Sequence, residues 1–136
     1  MAATYLLDTS AYWRIQRDEG IRKNWAREIV EGSVALTEPT RHEILYSARD
    51  GSERLEMAGT LDALFPLAAF STDPWDWIDA VQQRLAVRSR RGAGVIDLLL
   101  AAVAVRDNLI ILNDDRDIAA VIRVAPEVKQ IRVVLQ

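Results

Sequence analysis

The chain contains no cysteine and a single histidine, His42. The first absence excludes a disulfide framework, a thiolate nucleophile, an iron–sulfur site and a zinc ribbon. The second leaves too few imidazoles for a His-rich zinc centre, although a Ser-His-Asp triad needs only one. Chemistry must therefore come mainly from acids. Long apolar runs are also missing: the longest, Leu98 to Val105, has eight residues, far short of the roughly 18 that span a bilayer. The opening Met1-Ala2-Ala3-Thr4-Tyr5 has no basic n-region of a signal peptide. A soluble, cytoplasmic protein with no membrane partner is expected. Proline and glycine are sparse, four and six residues, and no stretch of them forms a linker. With no repeat of fixed period, residues 1–136 read as one domain.

Half of the chain is apolar and 27 % is charged, an ordinary globular composition. The formal net charge of -3 argues weakly against a nucleic-acid partner, since phosphate affinity comes from Lys and Arg. Two divalent cations held by clustered carboxylates would reverse that sign, so the bare count decides nothing.

Short apolar runs alternate with helical patterns along the chain. Strands are predicted at Thr4–Leu7, Val34–Thr37, Phe65–Phe70, Leu109–Leu112 and Ile131–Leu135. Helices are predicted from Thr9-Ser10 to Arg17, over Ile21–Val30, from Pro39 past Ala48, over Ser52–Leu64, from Asp73-Pro74 to about Arg91, from Val95 to about Arg106 and over Asp117–Arg123. Gly92-Ala93-Gly94 separates the fifth and sixth of these. Five strands linked by helices imply right-handed crossovers and an α/β fold, a five-stranded parallel sheet flanked by helices.

In an open parallel sheet, ligands bind outside the carboxyl ends of the strands. The residues at those places are acidic. Asp8 follows Leu7 directly, Glu43 lies in the second turn of the helix after the second strand, and Asp115 lies three residues past Leu112. Asp97 sits near the start of a helix between Val95-Ile96 and Leu98-Leu99-Leu100, an apolar setting in which a carboxylate should protonate or pair. Any one of these acids alone reads as a helix cap, a turn or a solvated side chain. Four at one sheet edge fit independent capping poorly, and a divalent cation would satisfy them together. His42 reads as structural, because adjacent helical residues point about 100° apart and do not share a face with Glu43. Trp13, Trp25, Trp75 and Trp77 read as core or interface aromatics, and Asp73, Asp76 and Asp79 as a solvated helix face. Arg84, Arg88, Arg90 and Arg91 form a cluster with no acid between Gln82 and Ile96. They suit either a helix C-terminus or the backbone of a polyanion approaching Asp97.

These motifs resemble, from end to end, those of PIN-domain ribonucleases, specifically the VapC toxins of bacterial type II toxin–antitoxin pairs. The marks are Leu6-Leu7-Asp8-Thr9-Ser10-Ala11, Glu43-Ile44-Leu45, Val95-Ile96-Asp97-Leu98-Leu99-Leu100-Ala101-Ala102 and Ile111-Leu112-Asn113-Asp114-Asp115-Arg116-Asp117. The last departs from the family, which often has Thr, Ser or His at Asn113 and an aromatic at Ile118. The resemblance implies a PIN-like three-layer sandwich and a metal site made by Asp8, Glu43, Asp97 and Asp115. It also implies Mg²⁺- or Mn²⁺-dependent cleavage of structured or single-stranded RNA, such as tRNA or rRNA loops. A cognate antitoxin, a homodimer, and a heterotetramer or larger assembly with the antitoxin are implied as well. Hard oxygen ligands suit those cations. The expected roles are Asp8 and Asp97 as principal ligands, Asp115 as a ligand of the same or a second ion, and Glu43 as ligand or orienter of the attacking water. Thr9, Ser10 and Asn113 are candidate donors to those ligands. The helices bearing Trp13 and Trp25 are candidates to anchor an antitoxin tail.

Other readings compete. A haloacid-dehalogenase-like phosphotransferase needs a second Asp where this chain has Ser10, and a response-regulator receiver needs a phosphoacceptor Asp where it has Phe70-Ser71-Thr72. A catalytically silent RNA-binding module and a DNA-directed nuclease keep the same acids, since a metal site alone does not sense a 2′-OH.

Overall fold

The computed structural model of the protein describes residues 2–70, 72–88 and 93–134. Arg90, Arg91 and Gly92, at the predicted helix end and break, and Leu135, the predicted end of the last strand, lie outside them. The elements run β1 (Tyr5–Leu7), α1 (Thr9–Arg17), α2 (Glu19–Val30), β2 (Val34–Ala35), α3 (Glu38–Leu45), α4 (Gly51–Leu64), α5 (Trp75–Val87), α6 (Val95–Asp107), β3 (Ile110–Asn113), α7 (Asp117–Val124) and β4 (Lys129–Arg132). All strand pairs are parallel, in the order β2-β1-β3-β4.

The sheet among the described residues has four strands, not the predicted five. Phe65–Phe70 contributes a single bridge, Leu36 to Leu67. Leu36 N donates to Pro66 O and Ala68 N donates to Leu36 O, both at 2.9 Å, and pairing stops there. The cause is the neighbour: Thr37 is already the N-cap of α3, so no strand remains for a fifth one to follow, and Pro66 has no N–H to donate. The last strand also begins earlier than its apolar run suggests, at Lys129. β4 is an edge strand paired to β3 alone, and there charged residues such as Lys129 and Arg132 are at home.

Side-chain alternation divides the core between the two faces of the sheet. Leu6, Ala35 and Ile111 face α5, α6 and α7, where they meet Ile78, Val81, Leu98, Ala101, Ile118 and Val121. Leu7, Val34, Leu36 and Leu112 face α1 to α4, where they meet Ala11, Ile15, Ile21, Ile44 and Leu61. Each fully buried Leu or Ile contributes roughly 1.5–3 kcal/mol of apolar transfer. The result is the expected α/β three-layer sandwich. α6 is buried almost all round, and its alanines at 101, 102 and 104 allow neighbouring elements to approach closely. It ends at Asn108, which takes the left-handed conformation (φ 54°) that Asn tolerates better than most residues.

Candidate functional site

The carboxyl ends of β1 and β3 set the site. Asp8 N donates to Leu112 O at 2.9 Å, which continues the ladder one residue past β1. Ser10 then ties the two strand ends together: its Oγ donates to Asp8 Oδ2 at 2.8 Å and accepts from Asp114 N at 2.9 Å. Asp8 occupies the N-cap position of α1, yet its side chain makes no capping hydrogen bond. It is held toward the end of β3 instead, at 8 % exposure.

Asp97 arrives from the other side of the sheet, in the first turn of α6. Its Oδ2 accepts from Gly94 N at 3.1 Å, so it does part of a capping residue's work. Asp115 Oδ1 accepts from Asp117 N at 3.0 Å, a local turn that opens α7. The capping and turn roles therefore exist for Asp97 and Asp115, and each uses one carboxylate oxygen.

Electrostatics link these acids. Burial pushes the Asp8 carboxyl up to about 6; the Ser10 hydrogen bond opposes this, and the charges of Asp115 and Asp97 reinforce it. Asp97 is raised as well, first by burial, against the Gly94 amide, and then by Asp115, Asp117 and Glu43. Asp8, Asp97 and Asp115 thus feel one another's charge, and Asp97 feels that of Glu43 as well. No ion pair to Asp8, Glu43, Asp97 or Asp115 occurs among the described residues. Asp114 differs: Arg14 and Arg132 approach it at 3.8 and 3.5 Å, which marks it as a structural acid.

The donor set suits a hard divalent cation, being all oxygen, anionic and without a guanidinium or ammonium among it. Burial against like charge is the condition such an ion relieves. Asp8, Asp97 and Asp115 are each turned to a local partner, and among the described residues no three acids converge as a coordination group. Of the three candidate supporting residues, Ser10 touches Asp8, whereas Asn113 is fully buried and its Nδ2 donates to Gln130 Oε1 on β4 at 2.9 Å. Asn113 Oδ1 and Thr9 Oγ1 are buried with no hydrogen-bond partner.

Beside the acids lies an open groove of about 470 Å³ lined by Pro39, His42, Glu43, Tyr46 and Ile96. His42, expected on another face, shares this groove with Glu43: a 100° offset leaves two long side chains free to flank one opening. His42 Nε2 meets Glu38 Oε2 at 3.1 Å. Tyr46, 92 % exposed, was also overlooked, although its place three residues after Glu43 on one helix face was readable.

Of the arginine cluster, Arg84 and Arg88 are among the described residues. Arg84 Nη1 donates to Val124 O at 3.0 Å, at the C-terminal end of α7 and so away from Asp117. Trp25 packs edge-on against Tyr5 with ring centroids 5.2 Å apart, and Trp13 does the same against Tyr12 at 5.0 Å. Trp77 Nε1 donates to Glu127 Oε1 at 3.1 Å, while Trp75 stands half exposed. No helix among the described residues is long and apolar enough to cross a membrane.

The PIN domain family model matches residues 5–124. Ribonuclease VapC51 of Mycobacterium tuberculosis is 36% identical over 117 residues, 86% of this chain and 84% of that protein. The solved VapBC-5 of Mycobacterium tuberculosis, a member of the VapBC family of toxin-antitoxin systems, is 26% identical with a TM-score of 0.64, covering 96% of this chain and 98% of the other. VapBC2 of Rickettsia felis, solved on a DNA fragment from its promoter, has a TM-score of 0.76 over 97% of this chain and 98% of the other; at 15% identity it speaks for the fold alone. With the model spanning most of the sequence and a full-length relative above 30% identity, this chain belongs to the PIN-domain family, among relatives named ribonuclease VapC.

Proposed function

We propose that the chain is a Mg²⁺- or Mn²⁺-dependent endoribonuclease, the toxin of a toxin–antitoxin pair, cleaving structured or single-stranded RNA such as tRNA or rRNA loops. The observation that carries this is that Asp8 and Asp97, brought to one sheet edge from opposite faces, feel the charge of each other and of Asp115, with no ion pair to any of the three among the described residues. When bound, the cation supplies Lewis acidity and an activated water for in-line attack on phosphorus. Asp8 and Asp97 would hold it, with Asp115 as a further ligand of the same or a second ion. Ser10 fixes the rotation of Asp8 through its hydrogen bond. Glu43, which lines the groove, would ligate the ion or orient the attacking water. The chain needs no nucleophile of its own.

The partners proposed are an RNA substrate, a cognate antitoxin and a second copy of the chain, with a heterotetramer or larger assembly when the antitoxin is bound. Support for the antitoxin comes from the solved VapBC relatives. Support for a covered surface comes from exposed Tyr46, Val95 and Ile96 around the groove.

The test is RNA cleavage by the purified chain. Asp8→Asn or Asp97→Asn should lower the cleavage rate by orders of magnitude with the fold intact, and EDTA should abolish it. Undiminished cleavage in EDTA would sink the proposal, and equal cleavage of a 2′-deoxy substrate would redirect it to a nuclease blind to the sugar.

A further inference from the structure

We infer that the cleft between α5 and α7 is a phosphate-binding track for the RNA strand, an inference that rests on the chain's being an RNA-cleaving enzyme. The cleft, of about 250 Å³, is lined by Gln83, Arg84, Val87, Arg88, Arg123 and Val124. Three of its six lining residues are arginines and none is acidic, in a chain whose net charge is -3. The arginines are not equivalent. Arg84 is spent on the Val124 carbonyl at 3.0 Å. Arg88 and Arg123 are exposed and make no ion pair among the described residues.

Arginines near helix C-termini need no ligand to explain them, so magnitudes matter. The C-termini of α5 and α7 both come to this cleft, and each carries roughly -0.5 of an elementary charge. Against three guanidinium charges a clear positive excess remains, carried mainly by the two unpaired arginines. A guanidinium fork matches phosphate oxygens well.

Location favours a nucleic-acid phosphate over a protein carboxylate. Arg123 lies at the far end of the helix that Asp117 opens, six residues on, about 9 Å along its axis and on a different face. A few nucleotides of single strand bridge that distance. The cleft therefore lies at the C-terminal end of the helix that begins beside the acid cluster, with the end of α5 as its other wall. A polyanion must be held near a negative site, and a cationic surface a few nucleotides away holds it without neutralising that site.

The experiment measures binding of a single-stranded RNA oligonucleotide to the full chain carrying Asp97→Asn, with Mg²⁺, over a range of salt concentrations. Adding Arg88→Gln and Arg123→Gln should reduce the magnitude of the log–log salt slope by about 1.4, about 0.7 per lost phosphate contact. In the otherwise wild-type chain the same pair should raise KM and leave kcat nearly unchanged. Thermal melting checks that the variants fold. An unchanged slope in a folded variant overturns the inference, as does loss of antitoxin capture with RNA binding intact, which would make the cleft a protein contact. A wild-type chain that cleaves RNA while the slope stays fixed leaves the enzyme reading standing. A wild-type chain that neither binds nor cleaves RNA removes both.

Discussion

Asp8 is buried at 8 % exposure within reach of the charges of Asp97 and Asp115, and the Ser10 hydroxyl and the Thr9 backbone oppose the effect of burial on it. Its pKa rises from 3.8 to about 6, chiefly through desolvation. A carboxyl that holds its proton more tightly in the folded state loses stability as pH rises through that window, and the loss persists above it. Asp8→Asn cannot ionise and keeps an oxygen to accept from Ser10. In EDTA it should therefore be more stable than wild type by roughly 1–3 kcal/mol at neutral pH, with the gap closing near about pH 3.5. Urea denaturation at both pH values checks this; a variant less stable than wild type at neutral pH would mean that the charge is compensated in the fold. A site acid whose removal stabilises the protein is kept for something other than stability. That distinction is invisible in sequence, where Asp8, Asp114 and Asp115 look alike, because neutralisation of Asp114 by Arg14 and Arg132 depends on contacts across the fold.

Most elements were legible because their signals are local. Asp50 before Gly51-Ser52-Glu53 announces α4, and its Oδ1 accepts from Glu53 N at 2.8 Å. The acids after β1 and β3 were legible for the same reason: strand, punctuation and acid are contiguous. Strand existence is different, since pairing is set by a neighbour far away in sequence. Phe65–Phe70 has the composition of a strand but meets only Leu36 before α3 begins. β4 pairs with the four residues of β3 rather than following its own apolar run. Arg84 shows the same limit, because its place at the end of α7 appears only once α5 and α7 are seen side by side. Arg84 completes the end of α7, so Arg84→Ala should cost about 0.5–1 kcal/mol of stability. Arg88→Gln and Arg123→Gln should each stay within about 0.5 kcal/mol of wild type. Denaturant midpoints at constant slope measure all three, and equal losses would place all three arginines in the fold rather than on its surface.

At the scale of the whole molecule, acids stand at the sheet edge and arginines without an ion pair among the described residues line the cleft between α5 and α7. This arrangement bears on how an antitoxin would silence the proposed enzyme. A basic side chain from an antitoxin tail can bridge two of these carboxylates where the cation would sit. Apolar residues of the same tail need a surface, and the groove beside the acids offers one in Pro39, Tyr46 and Ile96, whereas the cleft that Trp25 lines with Asn24, Glu28 and Arg132 is mostly polar. If the tail and the cation share the acids, their binding is linked reciprocally. The apparent Kd of the antitoxin should rise with Mg²⁺ or Mn²⁺ concentration, in proportion to the ion once the site is saturated. In an Asp97→Asn chain that dependence should largely vanish. Titration calorimetry of the purified pair at several ion concentrations reads this directly. An antitoxin affinity independent of the cation, together with full inhibition of cleavage, would place the tail on the RNA path rather than among the carboxylates. In that case Arg88→Gln with Arg123→Gln, not Asp97→Asn, should change the affinity, because an acidic or polar segment would then be occupying the cationic cleft.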